Sequence, residues 1–133
     1  MSAWLLPIGQ LLLRLGCGLG IMTHGYGKVF EAHAKGLIEF ATAQGWPVPF
    51  LWGWAGSLSE FFGGLFVAVG LLTRPSAFFV ACTMGVAVFV AHKGAPFATR
   101  EMACLYLTSS LAVLLIGPGP LSLDRLWGRG KGK

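Results

Sequence analysis

Four apolar stretches stand out along the chain, roughly Leu5–Met22, Phe50–Leu72, Ser76–Ala91 and Met102–Ile116. Turn-forming clusters separate them: Gly25 and Gly27, Pro47 and Pro49, Thr73-Arg74-Pro75, Gly94-Ala95-Pro96, and Gly117-Pro118-Gly119-Pro120. The first two runs are long enough to cross about 30 Å of hydrocarbon, and the last two approach that length when extended to His92 and back to Arg100. Lipid offers no hydrogen-bond partner to an open backbone, so the pattern predicts membrane-spanning helices at about 5–23, 50–72, 76–92 and 100–116. In the long connection after the first run, Val29, Phe30, Ala34, Leu37, Ile38, Phe40 and Ala41 recur at three- and four-residue steps, with Glu31, Lys35, Glu39 and Gln44 between them. That spacing predicts a short helix on the membrane surface, with Trp46, Trp52 and Trp54 anchoring at the water–lipid boundary. The expected fold class is all-α: an integral membrane four-helix transmembrane bundle, with a short interfacial helix between spans 1 and 2. Residues 1–133 are expected to form one domain ending in a basic tail, 121–133.

Composition supports the membrane reading and narrows it. Of 133 residues, 55% are hydrophobic and 11% charged, against about 25% charged in a soluble domain, which leaves too little polar surface to cover a soluble particle. The net charge of +5 comes mostly from Arg125, Arg129, Lys131 and Lys133. A basic cluster after the last span implies cytoplasmic anchoring to anionic lipid, and no basic face interleaved with aromatics points to nucleic acid. Four spans put both termini on one side. Arg74 and the four tail residues lie there, against Lys28, Lys35, Lys93 and Arg100 opposite, so both termini are expected in the cytoplasm. The N-terminus has neither a basic n-region nor a small-residue cleavage site, so the first run is expected to be retained. Cys17, Cys82 and Cys104 fall inside apolar runs without metal or dithiol spacing, and are expected to be buried, inert thiols.

The candidate chemistry lies in the polar residues that interrupt the spans. Arg14 and Glu60 each sit in mid-run, where a charge costs about 2.5–3.5 kcal/mol and usually faces a partner or a function. Counted at 1.5 Å per residue, Arg14 lies about 14 Å and Glu60 about 15 Å from opposite ends of their runs, which predicts a midplane ion pair between them. Small residues recur at helical spacing, with Gly16 and Gly20 forming a small-xxx-small pair, so the polar faces are expected to meet in one bundle. His24, Lys28, His92 and Glu101 are expected on the non-cytoplasmic side with Lys93 and Arg100, forming a polar vestibule above the pair. Arg14, His24, Lys28, Glu60, His92 and Glu101 are therefore the candidate ligand or proton pocket. The histidine and carboxylate spacing carries no metal signature, so no metal is expected, and no catalytic nucleophile motif is present.

These residues resemble the DoxX family of small four-helix membrane proteins. The resemblance covers nearly the whole chain. It rests on Leu13-Arg14-Leu15, His24-Gly25-Tyr26-Gly27-Lys28, Glu60-Phe61-Phe62-Gly63-Gly64, Gly70-Leu71-Leu72-Thr73-Arg74, His92, Glu101 and the closing run from Gly117 to Leu126. Pro120 stands where a basic residue is common in the family. The resemblance implies the bacterial inner membrane and redox or thiol-stress systems, and a related group includes the membrane subunit of a thiosulfate:quinone oxidoreductase. It carries the family's polar positions onto the same six candidate residues, and it implies no cysteine pair for dithiol chemistry.

Three functions compete at this stage. The first is a redox-associated membrane subunit, partnered by an oxidoreductase or other membrane subunits, whose pocket takes a quinone headgroup or another small ligand, or passes protons. The second is a non-enzymatic scaffold for other proteins, in which Arg14 and Glu60 serve folding alone. The third is a small-molecule carrier, for which four spans without an inverted repeat would require a homo-oligomer.

Overall fold

In hydrocarbon a backbone must satisfy its own hydrogen bonds, and the apolar runs do so as helices. The computed structural model describes residues 2–130, and no strand occurs among them. Helix α1 (Leu5–Tyr26) continues through a π-helical turn to Glu31, and α2 (Lys35–Ala43) follows. The second rod runs from α3 (Pro49–Leu58) through a π-turn (Ser59–Gly63) into α4 (Gly64–Val69). Helix α5 (Thr73–Val86) ends in a third π-turn (Ala87–Ala91), and α6 (Phe97–Ile116) precedes a short terminal helix α7 (Leu123–Gly130). Leu5–Glu31, Thr73–Ala91 and Phe97–Ile116, at 27, 19 and 20 residues, are each long and apolar enough to cross a membrane. With the Pro49–Val69 rod they make a helical membrane bundle. The third and fourth helices are thus longer than their apolar runs alone suggest.

The chain goes up α1, over α2, down α3–α4, up α5 and down α6. The start of α1 and the end of α6 therefore lie at one end of the bundle, the terminal end, and the α1–α3 and α5–α6 connections at the other, the loop end. Helix α1 packs along α4 and the second π-turn, α5 along α6, and α2 mainly on α3. Two buried clusters fill the interior: Ile21, Val80 and Met84 toward the loop end, and Val67, Ala77 and Val113 toward the termini. Leu12, Phe89, Leu105 and Leu115 point outward, as expected of side chains facing lipid.

Glycine sets the closest approach, at positions other than the expected Gly16–Gly20 pair. A Cβ on Gly18 would overlap the backbone of Gly64 and Ala68, and one on Gly25 would overlap Glu60 and Phe61. These two glycines are seven residues apart, two helical turns, so they share the face that also holds Arg14 and Ile21. Gly16 lies on another face, with open space around it, and Gly20 accommodates the Tyr106 ring. Gly18→Ala or Gly25→Ala is expected to lower stability by about 1–3 kcal/mol, because only backbone movement can relieve the overlap. Gly16→Ala should be neutral. Thermal unfolding of the three variants in detergent checks the contrast.

The closing segment is a brace across the terminal end. The Asp124 carboxylate accepts hydrogen bonds from the Leu72 and Thr73 amides at 2.7 and 2.9 Å and from Thr73 Oγ1 at 2.7 Å, while its own amide donates to Gly70 O at 2.8 Å. A residue from the far end of the chain thus caps the start of α5, whose first amides have no helical partner. Asp124→Ala is expected to cost about 1–2 kcal/mol, as a lost helix cap does, with Asp124→Asn losing less. The same unfolding measurement checks it.

Candidate functional site

Arg14 does not meet Glu60. Its guanidinium donates through Nε to Val67 O at 3.2 Å, through Nη2 to Ala68 O at 3.2 Å, and through Nη1 to Leu121 O at 2.8 Å and to Pro118 O. Val67 and Ala68 lie in the last turn of α4, at the negative end of the helix dipole, and Val67 O also accepts from the Gly70 amide at 3.3 Å. Arg14 therefore ties the end of α4 to the turn after α6, at the terminal end. The expected midplane pair does not form because α1 does not stop near Met22 but runs on to Glu31. With Gly18 against Ala68 and Gly25 against Phe61, Glu60 lies beside Gly25, about 16 Å farther along α1 than Arg14 at 1.5 Å per residue.

Glu60 pairs instead with Lys28. Both carboxylate oxygens lie 2.7 Å from Lys28 Nζ. The Glu60 side chain is 2% exposed and that of Lys28 40%, so the pair is buried at its acidic end and open at its basic end. Apart from it, the ion-pair geometry among the described residues is met by Lys35–Glu39 on the surface of α2, at 4.0 Å.

Beside the Lys28–Glu60 pair is a chamber of about 670 Å³, within the usual range for ligand pockets. Its walls are mostly apolar and aromatic, from Phe40, Trp46, Trp52, Phe78, Phe79 and Tyr106, and its polar groups are Lys28, Glu60, His24, His92, Ser59, Thr83 and Thr99. Thr83 Oγ1 lies 3.2 Å from Ser59 Oγ and donates to Phe79 O at 3.0 Å. Helix α2 roofs the space through Leu37, Phe40 and Ala41. The chamber exists because α3 hardly touches α5, whereas the second π-turn and α4 below it pack against α5 firmly. Each π-turn supplies polar residues at this end: Lys28 from the first, Ser59 and Glu60 from the second, and His92 directly after the third. A π-turn inserts one residue into the helical ladder and is frequent at functional sites, so three around one cavity mark it as the candidate site.

Of the six expected pocket residues, His24, Lys28, Glu60 and His92 line the chamber, and Arg14 and Glu101 do not. Glu101 is exposed on the second turn of α6. His24 stands edge-on to Tyr106, ring centroids 5.8 Å apart. Of the cysteines, Cys17 is buried as expected, but Cys104 is half-buried, and Cys82 is exposed and lines the chamber, because its face of α5 looks into the gap left by α3. Trp46 and Trp52 form chamber wall and stack edge-to-face at 5.9 Å. Tyr106 and Thr83 escaped the sequence reading. Gly20, the small residue that accommodates Tyr106, was the one available signal for the former. Among the described residues no three His, Cys, Asp or Glu side chains converge to hold a metal ion.

The model of the DoxX family matches residues 9–93, which include every polar chamber residue except Thr99 and Tyr106. The chain belongs to the DoxX family. It is 33% identical over 125 residues to a Bacillus subtilis (strain 168) protein named "Putative oxidoreductase CatD", covering 93% of this chain and 90% of that one. It is 32% identical over 126 residues to "Inner membrane protein YqjF" of Escherichia coli (strain K12), covering 90% of this chain and 92% of that one. No solved structure matches it. The Lys28–Glu60 pair falls wholly inside the DoxX match, as do Arg14, Val67 and Ala68, while Pro118, Leu121 and Asp124 lie beyond it.

Proposed function

We propose that this DoxX protein is a redox-associated membrane subunit of the bacterial inner membrane whose chamber receives the headgroup of a quinone or a similar neutral amphiphile. The observation that carries the reading is the combination in one cavity of aromatic walls with a few hydrogen-bonding groups gathered at the π-turns. The residues present fit such a ring. Phe40, Trp46, Trp52 and Phe79 offer apolar faces, and Lys28 and protonated His92 offer donors to a carbonyl oxygen. Because Lys28 and Glu60 neutralise each other, the site favours an uncharged guest. The gap between α3 and α5 gives a guest dissolved in the bilayer a sideways route. A quinone, when bound, supplies two-electron chemistry; the chain's part is to bind it, exclude water and hold a proton near its oxygen. The name of the B. subtilis relative supports a redox association, and that of the E. coli relative supports the inner membrane. The basic cluster supports a cytoplasmic terminal end, with the chamber then toward the outer face.

The test is titration of the purified protein in lipid nanodiscs with a short-chain quinone, followed by calorimetry and by quenching of tryptophan emission. Saturable one-site binding is expected, and Ala55→Trp, which fills the chamber, should weaken it at least about tenfold, or 1.4 kcal/mol. Absence of saturable binding to the wild-type chain sinks the reading.

A further inference from the structure

We propose that His92 is the chamber residue that hydrogen-bonds the guest's oxygen and changes its protonation with the guest's redox form; the proposal rests on the reading of the chamber as a quinone-type site. The third π-turn closes with the His92 amide donating to Ala87 O at 3.0 Å, and His92 Nδ1 lies 2.8 Å from that same oxygen. A carbonyl oxygen only accepts, so Nδ1 carries the hydrogen. The neutral ring then presents Nε2 as a lone pair, and the protonated ring presents Nε2–H. No partner for Nε2 occurs among the described residues, and the ring lines the chamber.

The other polar groups do not offer this choice. Glu60 has both oxygens on Lys28 Nζ, and His24 has its ring edge against Tyr106 without an anchoring hydrogen bond. His33 lies outside the chamber, exposed between α1 and α2. The titratable groups sharing the chamber with His92 are His24 from α1, Lys28, Glu60, Cys82 from α5 and Tyr106 from α6. Lys93, Arg100 and Glu101 flank it along the chain outside the chamber lining.

An oxidised quinone oxygen only accepts a hydrogen bond, whereas the reduced form carries an O–H that donates. Protonated His92 therefore suits the oxidised guest, and neutral His92 suits the reduced one. The sign follows: a hydrogen on Nε2 favours the oxidised form, and its loss favours the reduced form, so the preference for the oxidised form falls as pH rises. No electron transfer is needed, because each form is added separately.

The experiment measures affinity of nanodisc-embedded protein for a short-chain quinone and, anaerobically, for its hydroquinone, between about pH 5 and about pH 8. In the wild-type chain the preference for the oxidised form should fall about tenfold across that range, one proton being exchanged. His92→Gln, whose amide can donate or accept but does not titrate, should bind both forms with a flat ratio. An independent readout is the imidazole nitrogen-15 spectrum, with the His92 signals assigned by their loss in His92→Gln. In the neutral ring it should show the hydrogen on Nδ1. Equal pH slopes in wild type and His92→Gln overturn the proposal, as does hydrogen on Nε2 of neutral His92. If neither form binds the wild-type chain, the chamber reading fails and this proposal fails with it; binding with a flat wild-type ratio fails this proposal alone.

Discussion

Arg14→Met is expected to lower the stability of the folded bundle by about 3 kcal/mol or more, the largest single loss available at the terminal end. Arg14 is 2% exposed and donates to four backbone carbonyls from two chain segments, the end of α4 and the Pro118–Leu121 turn. A methionine fills similar volume but removes all four of these hydrogen bonds in an apolar setting, where Val67 O keeps only the long bond from the Gly70 amide. Arg14→Lys keeps the charge and loses the fork, since one ammonium cannot reach all four oxygens; about half the loss should return. Equilibrium unfolding in detergent measures both. A methionine variant within about 0.5 kcal/mol of wild type would show that the carbonyls are satisfied by water and that Arg14 braces nothing. Quinone affinity per folded molecule should be unchanged, because Arg14 lines no part of the chamber.

The same geometry fixes what a charge exchange between Arg14 and Glu60 would do. If Arg14 and Glu60 were partners, exchanging their charges would restore what each reversal costs. Arg14 and Glu60 lie at different levels along the bundle, with the glycine contacts at Gly18 and Gly25 fixing that offset, so the double reversal should be at least as damaging as the two single reversals added together. A scaffold role and a ligand role therefore cannot be told apart by that swap. They are separated at Lys28, Glu60 and His92.

What was legible in the sequence is what depends on long stretches. The four apolar runs gave the bundle, and the mixed three- and four-residue spacing after Val29 gave α2, observed at Lys35–Ala43. What was not legible depends on where a helix ends. Gly25 and Gly27 read as breakers, yet Gly25 packs against the backbone at Glu60 and Phe61, which keeps α1 helical past it. That extension moved the antiparallel register and with it the partner of Glu60. The π-turns have no compositional signature: an i+5 bond needs no particular residue, so Lys28, Glu60 and His92 could be listed as polar but not placed together by pattern. Tertiary packing also reassigned Trp46 and Trp52, since an amphipathic tryptophan at the membrane boundary and one walling a cavity near that boundary look alike in sequence.

Lys28→Met is expected to cost about 2–4 kcal/mol, because it leaves the Glu60 carboxylate buried with no cation. The figure sits below that for a wholly buried pair because 40% of the Lys28 side chain reaches solvent. Glu60→Gln should cost less, about 1–2 kcal/mol, since the Lys28 ammonium can turn outward to water. The double variant, Lys28→Met with Glu60→Gln, removes both charges and should recover more than half of the summed loss, a coupling of about 1.5 kcal/mol or more by a double-mutant cycle. Coupling below about 0.5 kcal/mol would mean the pair contributes nothing as a pair. Binding should not recover with stability. The double variant folds but lacks the ammonium donor at the chamber, so its affinity for a short-chain quinone should remain about tenfold below wild type, or 1.4 kcal/mol. A double variant that regains both stability and affinity would assign Lys28 and Glu60 to folding alone and leave His92 as the chamber's polar anchor.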